Sequence, residues 1–178
     1  IQVDVAWTRE HWEAVIEGLK RIRAIDPHSD EARKRLAEAH YDYGMELIEA
    51  NELESARMEL DRAIRLDAKS EGLQRTRREL SLYTEGLDAH WKQDWPRAVD
   101  SLKGLYELNE DFRDTRVMLG QSYYNLGIKL QKGEVWDEAA QSFKMAVKLV
   151  PDLEDAEVRL TQVMDILIPP NRIELDLS

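Results

Sequence analysis

The residues with the most obvious capacity for chemistry are the four histidines, His11, His28, His40 and His90. None stands in an H-E-x-x-H motif, and none has a glutamate three residues before it. The spacings that put two metal ligands on one helical face are therefore missing. There is no cysteine, which removes thiolate nucleophiles, thiolate metal sites and a disulfide framework together. A glycine pair suited to a phosphate loop is absent, as is the G-x-S-x-G elbow. Asp and Glu total 36, and at that density two carboxylates close in sequence carry little information. The expectation is no catalytic residue, no metal and no cofactor. An enzyme built on a helical toroid is the minor alternative.

The elements that must position whatever this chain does are better marked. Its 178 residues are 43% hydrophobic and 34% charged, room for one ordinary domain or one short repeat array. Sparse Gly and Pro lean the chain towards helix. A net charge of −11 argues against a nucleic-acid partner, which needs a basic face, and leaves an apolar or basic peptide open. No apolar run approaches the ~18 residues that would span a bilayer. The chain begins at Ile, which leads us to expect a processed or excised piece. Location is assigned to the cytoplasm by base rate alone.

Self-alignment gives the organising signal. Trp12, Leu53, Trp95 and Trp136 are separated by 41, 42 and 41 residues. Val15, Ala56, Ala98 and Ala139 keep that step, as do Leu19, Leu60, Leu102 and Phe143, and Ile22, Ala63, Leu105 and Ala146. Pro27, Ala68, Glu110 and Pro151 follow in phase as terminators, and Gly44, Gly86 and Gly127 mark a second helix. Small residues belong where two helix axes approach, larger ones fill the space between them, and proline ends a helix. Each hairpin leaves an apolar face that only stacking can bury.

Residues 123–151 carry the pattern most fully: Tyr123, Leu126-Gly127, Leu130, Ala139, Phe143, Ala146 and Pro151. This stretch resembles a tetratricopeptide repeat (TPR), whose pattern is W-x₂-L-G-x₂-Y, then A-x₃-F, then P. The period of 41–42 departs from the 34 of that family, and the extra residues fall between terminator and glycine. Seven residues make about two helical turns, so the added length does not rotate the buried stripe. A generic helical-hairpin solenoid is the runner-up.

The fold expected is all-α, a right-handed α-solenoid of antiparallel hairpins with about eight helices. Residues 1–8 are an N-terminal extension or the end of a preceding helix, with Thr8 as N-cap. A helical repeat domain covers 9–168. It contains a first helix over 9–25, repeats over about 29–68, 70–110 and 112–151, and a capping helix over 153–168. Residues 169–178 form a tail. Ser29 or Asp30 is expected to cap the second helix and Asp94 the fifth, with Pro96 in its first turn.

The resemblance implies a role as a protein-interaction module, binding a peptide or helix in a concave groove lined by the first helix of each hairpin. Carried over by position, the groove residues are Tyr41, Met45 and Ile48, then Tyr83, Leu87 and His90, then Tyr124, Asn125, Ile128 and Gln131. The recurring tyrosines are expected to stack as a ladder with polar tips. The carboxylate-gripping Lys, Arg and Asn of some TPR domains are not matched, except by Asn125. The expected partner is thus a mainly apolar protein or peptide, with basic residues to meet Glu38, Asp42 and Glu49. Two other readings stand beside this one: a scaffold that associates through exposed repeat ends, and a regulatory repeat domain of a larger enzyme.

Overall fold

Apolar residues recur at helical spacing, and the fold that results is all-helical. The structure, a computed structural model, describes residues 2–153 and 155–168, with side chains from residue 11 onward. Among the described residues eight helices follow in order: α1 (Gln2–Ile25), α2 (Asp30–Glu49), α3 (Leu53–Leu66), α4 (Glu71–Trp91), α5 (Trp95–Leu108), α6 (Thr115–Lys132), α7 (Trp136–Leu149) and α8 (Ala156–Leu167). Among the described residues there is no strand. A division after Ser81, inside α4, separates two compact units.

In the first unit α2 packs between α1 and α3. Arg33 reaches the Leu66 carbonyl, His40 faces Glu59, and Gly44 faces Ala56 and Leu60. Partner numbers fall as residue numbers rise, so α2 and α3 run antiparallel. The second unit repeats this arrangement. The site of a Cβ on Gly86 would lie 2.6 Å from Leu102, and one on Gly127 would lie 2.7 Å from Phe143. Each of the three glycines thus faces the same partner column, 44 to 60, 86 to 102 and 127 to 143. That column is sealed: Leu60, Leu102 and Phe143 have no exposed surface, nor do Ala56, Ala98 and Ala139. Close-packed interiors leave no slack at such positions.

The turns inside the hairpins are also alike. Glu52, Asp94 and Val135 donate backbone N–H bonds to Leu47, Ala89 and Leu130, at 2.8, 2.9 and 3.0 Å. This six-residue closure satisfies a carbonyl left over at the helix end, as in a Schellman turn. It requires a left-handed residue, supplied by Asn51 (φ 62°), Gln93 (φ 58°) and Glu134 (φ 59°) rather than by glycine.

Links between hairpins come in two kinds. In the first unit Ser29 and Ser70 begin α2 and α4, and their hydroxyls accept the Ala32 and Leu73 N–H groups. In the second unit Arg113 (φ 51°) and Asp155 (φ 60°) take the left-handed conformation just before α6 and α8.

Several boundary expectations need correction. α1 starts at Gln2, so Thr8 lies inside it and is not an N-cap, and residues 2–8 belong to the same helix as 9–25. Asp94 precedes α5 without a side-chain cap bond, although Pro96 occupies the first turn. α8 begins at Ala156, later than 153. The tail over 169–178 lies outside the described residues.

Candidate functional site

Helix α2 offers two stripes, and the structure buries most of both. It is flanked by α1 and α3, so Tyr43, Leu47 and Ile48 are all enclosed. Ile48, expected to line a groove, is 2% exposed and offers a ligand no surface. Tyr41 and Met45 remain half-buried. Tyr41 lines a surface depression with Lys34, Ala37 and Glu38 of α2 and Gly72 and Leu73 at the start of α4. Asp42 and Glu49 are exposed on the same helix.

Tyr83 departs further from expectation. It is 3% exposed, with its ring edge-on to Phe112 at 5.6 Å and the Arg113 guanidinium 5.4 Å from the ring centre. Its hydroxyl donates to Asp114 Oδ1 at 2.6 Å. Burial first, and the hydrogen bond to the Asp114 carboxylate second, push its pKa above the ordinary tyrosine value. Tyr83 is therefore a core residue that fixes the link preceding α6. Leu87 is likewise drawn inward, against Leu102, Met118, Leu119 and Leu149.

His90 keeps one face in the core and one towards the turn after α4. Its Nδ1 lies 2.9 Å from Ser122 Oγ, and the Ser122 hydroxyl is already donating to the Met118 carbonyl. Nδ1 must then carry the proton and donate. Burial lowers the pKa of His90 and favours the neutral ring. Trp91 and Trp95 both meet this ring edge-on, at 5.8 and 5.2 Å. Trp91 itself is 77% exposed.

On α6 the expected residues are divided between two environments. Tyr124 packs on Phe143 at 6.0 Å, and its hydroxyl accepts from Arg159 Nε at 3.1 Å. Gln131 Oε1 accepts from Arg159 Nη1 at 3.2 Å, so α8 holds both. Asn125 donates to the Gln121 carbonyl at 2.9 Å, and Ile128 packs in part against the α7–α8 core. Both also line a depression with Gln93, Trp95, Lys129 and Lys132. The expected ladder does not form here, since Tyr83 meets Phe112 and Tyr124 meets Phe143. A polar partner fixes each ring: Asp114 holds the Tyr83 hydroxyl, and Arg159 holds that of Tyr124.

The first unit contains a pair that the sequence reading passed over. His40 Nδ1 and Glu59 Oε2 are 2.6 Å apart, with both side chains less than a tenth exposed, and Arg62 closes on the other Glu59 oxygen. A buried carboxylate is tolerated only when it is paired. A clue did exist: the repeat column of Glu59 continues as Ser101 and Ser142. Arginines of α2 and α4 are engaged as well, Arg33 with Asp30, Arg35 with Glu31 and Arg75 with Glu79 along their own helices, and Arg77 with Asp61 of α3.

Among the described residues no group of three or more His, Cys, Asp and Glu is placed to hold a metal, and no helix is long and apolar enough to cross a membrane. In comparison with known proteins, no family model matches the chain, and no curated protein matches it significantly.

Proposed function

We infer that this chain is a protein-interaction module, a right-handed TPR-like stack of helical hairpins that docks a peptide or helix of a partner. The observation that carries this reading is the depression between α2 and the start of α4. It pairs the half-buried ring of Tyr41 with an apolar floor at Ala37 and Leu73, beside the exposed acid of Glu38. A rigid aromatic with a polar tip suits peptide recognition, and a nearby carboxylate favours a partner carrying Lys or Arg. Glu38, Asp42 and Glu49 extend that acidic character along α2.

A peptide library displayed on phage and selected against the full chain tests this. Selected sequences are expected to combine apolar and basic residues. Their affinity should fall about tenfold or more in Tyr41→Ala and Glu38→Lys, with the helical circular dichroism unchanged. Selected peptides whose binding ignores both substitutions would place the contact elsewhere. The exposed apolar side chains of α8, among them Val158, Met164 and Ile166, favour a second reading, a scaffold that associates through repeat ends. Concentration-dependent sedimentation separates the two.

A further inference from the structure

The first unit contains a small polar arrangement that the second unit leaves incomplete. In the first, the indole N–H of Trp12 donates to Glu46 Oε2 at 2.7 Å, joining α1 to α2. Trp95 stands 83 residues after Trp12, and Lys129 stands 83 residues after Glu46. Trp95 and Lys129 line one depression at the turn between α4 and α5, with Lys132, Asn125, Ile128 and Gln93. The two indoles have different ring neighbours, Tyr43 for Trp12 and His90 for Trp95, but each column again supplies its member to one place, and the residue in the Glu46 column has changed sign.

A lysine cannot accept a hydrogen bond. The Trp95 indole N–H has no acceptor among the described residues, and it is not one of their buried unsatisfied groups, so it opens to the surface. Lys132 repeats the reversal, standing 83 residues after Glu49. Both lysines are exposed, and neither has an acidic partner among the described residues, whereas Lys92 pairs with Asp88 and Lys103 with Glu107. An indole buries a large area when covered, and a half-buried tryptophan such as Trp95 is a frequent anchor at interfaces.

One unmatched N–H donor, two unmatched ammonium groups and a half-buried indole beside Ile128 call for an anionic acceptor with apolar neighbours. We propose that this depression is the docking site for an acidic segment of a partner protein. Its Glu or Asp carboxylate takes, against Trp95, Lys129 and Lys132, the place that Glu46 takes against Trp12. Its contacts with the two ammonium groups are charged on both sides and that with the indole N–H on one, which makes them stronger than neutral bonds and sensitive to salt. The net charge of −11 repels an extended polyanion, so the attraction is local to this patch. The proposal rests on reading the chain as a binding module, but at a surface distinct from the Tyr41 depression and for a partner of opposite charge.

The test uses the full chain and a fluorescein-labelled peptide alternating glutamate with leucine, followed by anisotropy. The glutamate peptide should bind saturably. The glutamine counterpart, and the glutamate peptide against Lys129→Glu or Lys132→Glu, should each bind at least about tenfold more weakly. Both substitutions are on exposed sites, so circular dichroism should not change. A second readout needs no peptide. In Lys129→Glu the chain supplies its own acceptor, and the Trp95 indole proton, assigned by its loss in Trp95→Phe, should exchange more slowly with water. Four results would overturn the proposal: no binding of the glutamate peptide, equal binding of the glutamine peptide, indifference to Lys129→Glu, or tighter binding of an oligothymidylate. If library peptides still depend on Tyr41 while the glutamate peptide fails, this inference falls and the broader reading stands.

Discussion

Replacing glycines one at a time by alanine should separate those that the packing requires from those that only lower helix propensity. An interior Gly→Ala gains about 0.5–1 kcal/mol of helical preference. At Gly18 on α1 a new Cβ would meet nothing within 4 Å, so the gain should appear in full. At Gly44 the Leu60 side chain lies 3.1 Å away and must give by a few tenths of an ångström. The two effects nearly cancel there, and the net change should stay within about 0.5 kcal/mol. At Gly86 both Cγ and Cδ2 of Leu102 lie at 2.6 Å, and Leu102 has no exposed surface into which to swing. Overpacking of about 1–3 kcal/mol set against the helical gain leaves a loss of up to about 2.5 kcal/mol, and the 2.6 Å approach puts it in the upper half of that range. Gly127 faces three ring atoms of Phe143 between 2.7 and 3.0 Å, and a rigid ring yields least, so its loss should be the largest.

Urea unfolding followed at the helical band reads this order. With an m-value of about 2 kcal/mol/M, a loss of 1.5 kcal/mol moves the midpoint by about 0.7 M. The pairing has its own test in the double variant Gly86→Ala with Leu102→Ala, which moves volume from one helix to the other. The pair should lose less than the sum of its single losses, by about 1 kcal/mol. Equal stabilisation by Gly18→Ala and Gly86→Ala, or strict additivity in the double variant, would refute the geometry at the hairpin contact.

The left-handed turn residues give the opposite substitution. Gln93→Gly and Glu134→Gly should each raise stability by about 0.5 kcal/mol, since release of left-handed strain exceeds the extra freedom of the unfolded chain, while Asn51→Gly should change little, because asparagine tolerates this conformation. His90 makes stability fall in acid. Its depressed folded pKa means that its contribution is complete above the unfolded value near 6.5 and is lost as pH drops through the folded one, so urea midpoints should fall from pH 7 to pH 5, less so in His90→Gln. Tyr83 and Tyr123, both raised chiefly by burial, act at the other end: their contribution is complete below the unfolded pKa near 10 and is lost as pH climbs through the folded values, a loss Tyr83→Phe should reduce.

Hairpins and their order were legible because packing writes itself into residue size. A glycine facing a large apolar residue in three copies is a statement about distance between helix axes, and the 2.6–3.1 Å approaches are that statement in space. The turn chemistry was not legible, since Asn51, Gln93 and Glu134 share no side-chain property beyond tolerating the closure that the backbone imposes. Which of the expected groove residues stay open to the surface was not legible, for a related reason. A helical wheel finds the second stripe on α2 and α4 but cannot say whether a neighbour covers it. α2 has a helix on each side, which encloses Ile48, and the link over 112–114 folds onto Tyr83. Gly127 and Ile128, adjacent in sequence, end respectively in a core contact and at a surface depression.

That division also indicates where specificity can reside in a repeated fold. Columns held by contact keep their character, as Ala56, Ala98 and Ala139 do at zero exposure. Columns that the packing leaves alone are free to vary. Glu46, Asp88 and Lys129 occupy one such column, and Glu49, Trp91 and Lys132 another. Glu46 is used internally by Trp12 and Asp88 by Lys92, whereas Lys129 has no use within the described chain. A surface lysine costs the fold little, so its presence alone decides nothing. Its place in one depression with an indole whose counterpart in the first unit is bonded to a carboxylate is different, because both units supply the donor and only the first supplies the acceptor. The fold then accounts for every member of the column except the one that a partner's carboxylate would complete.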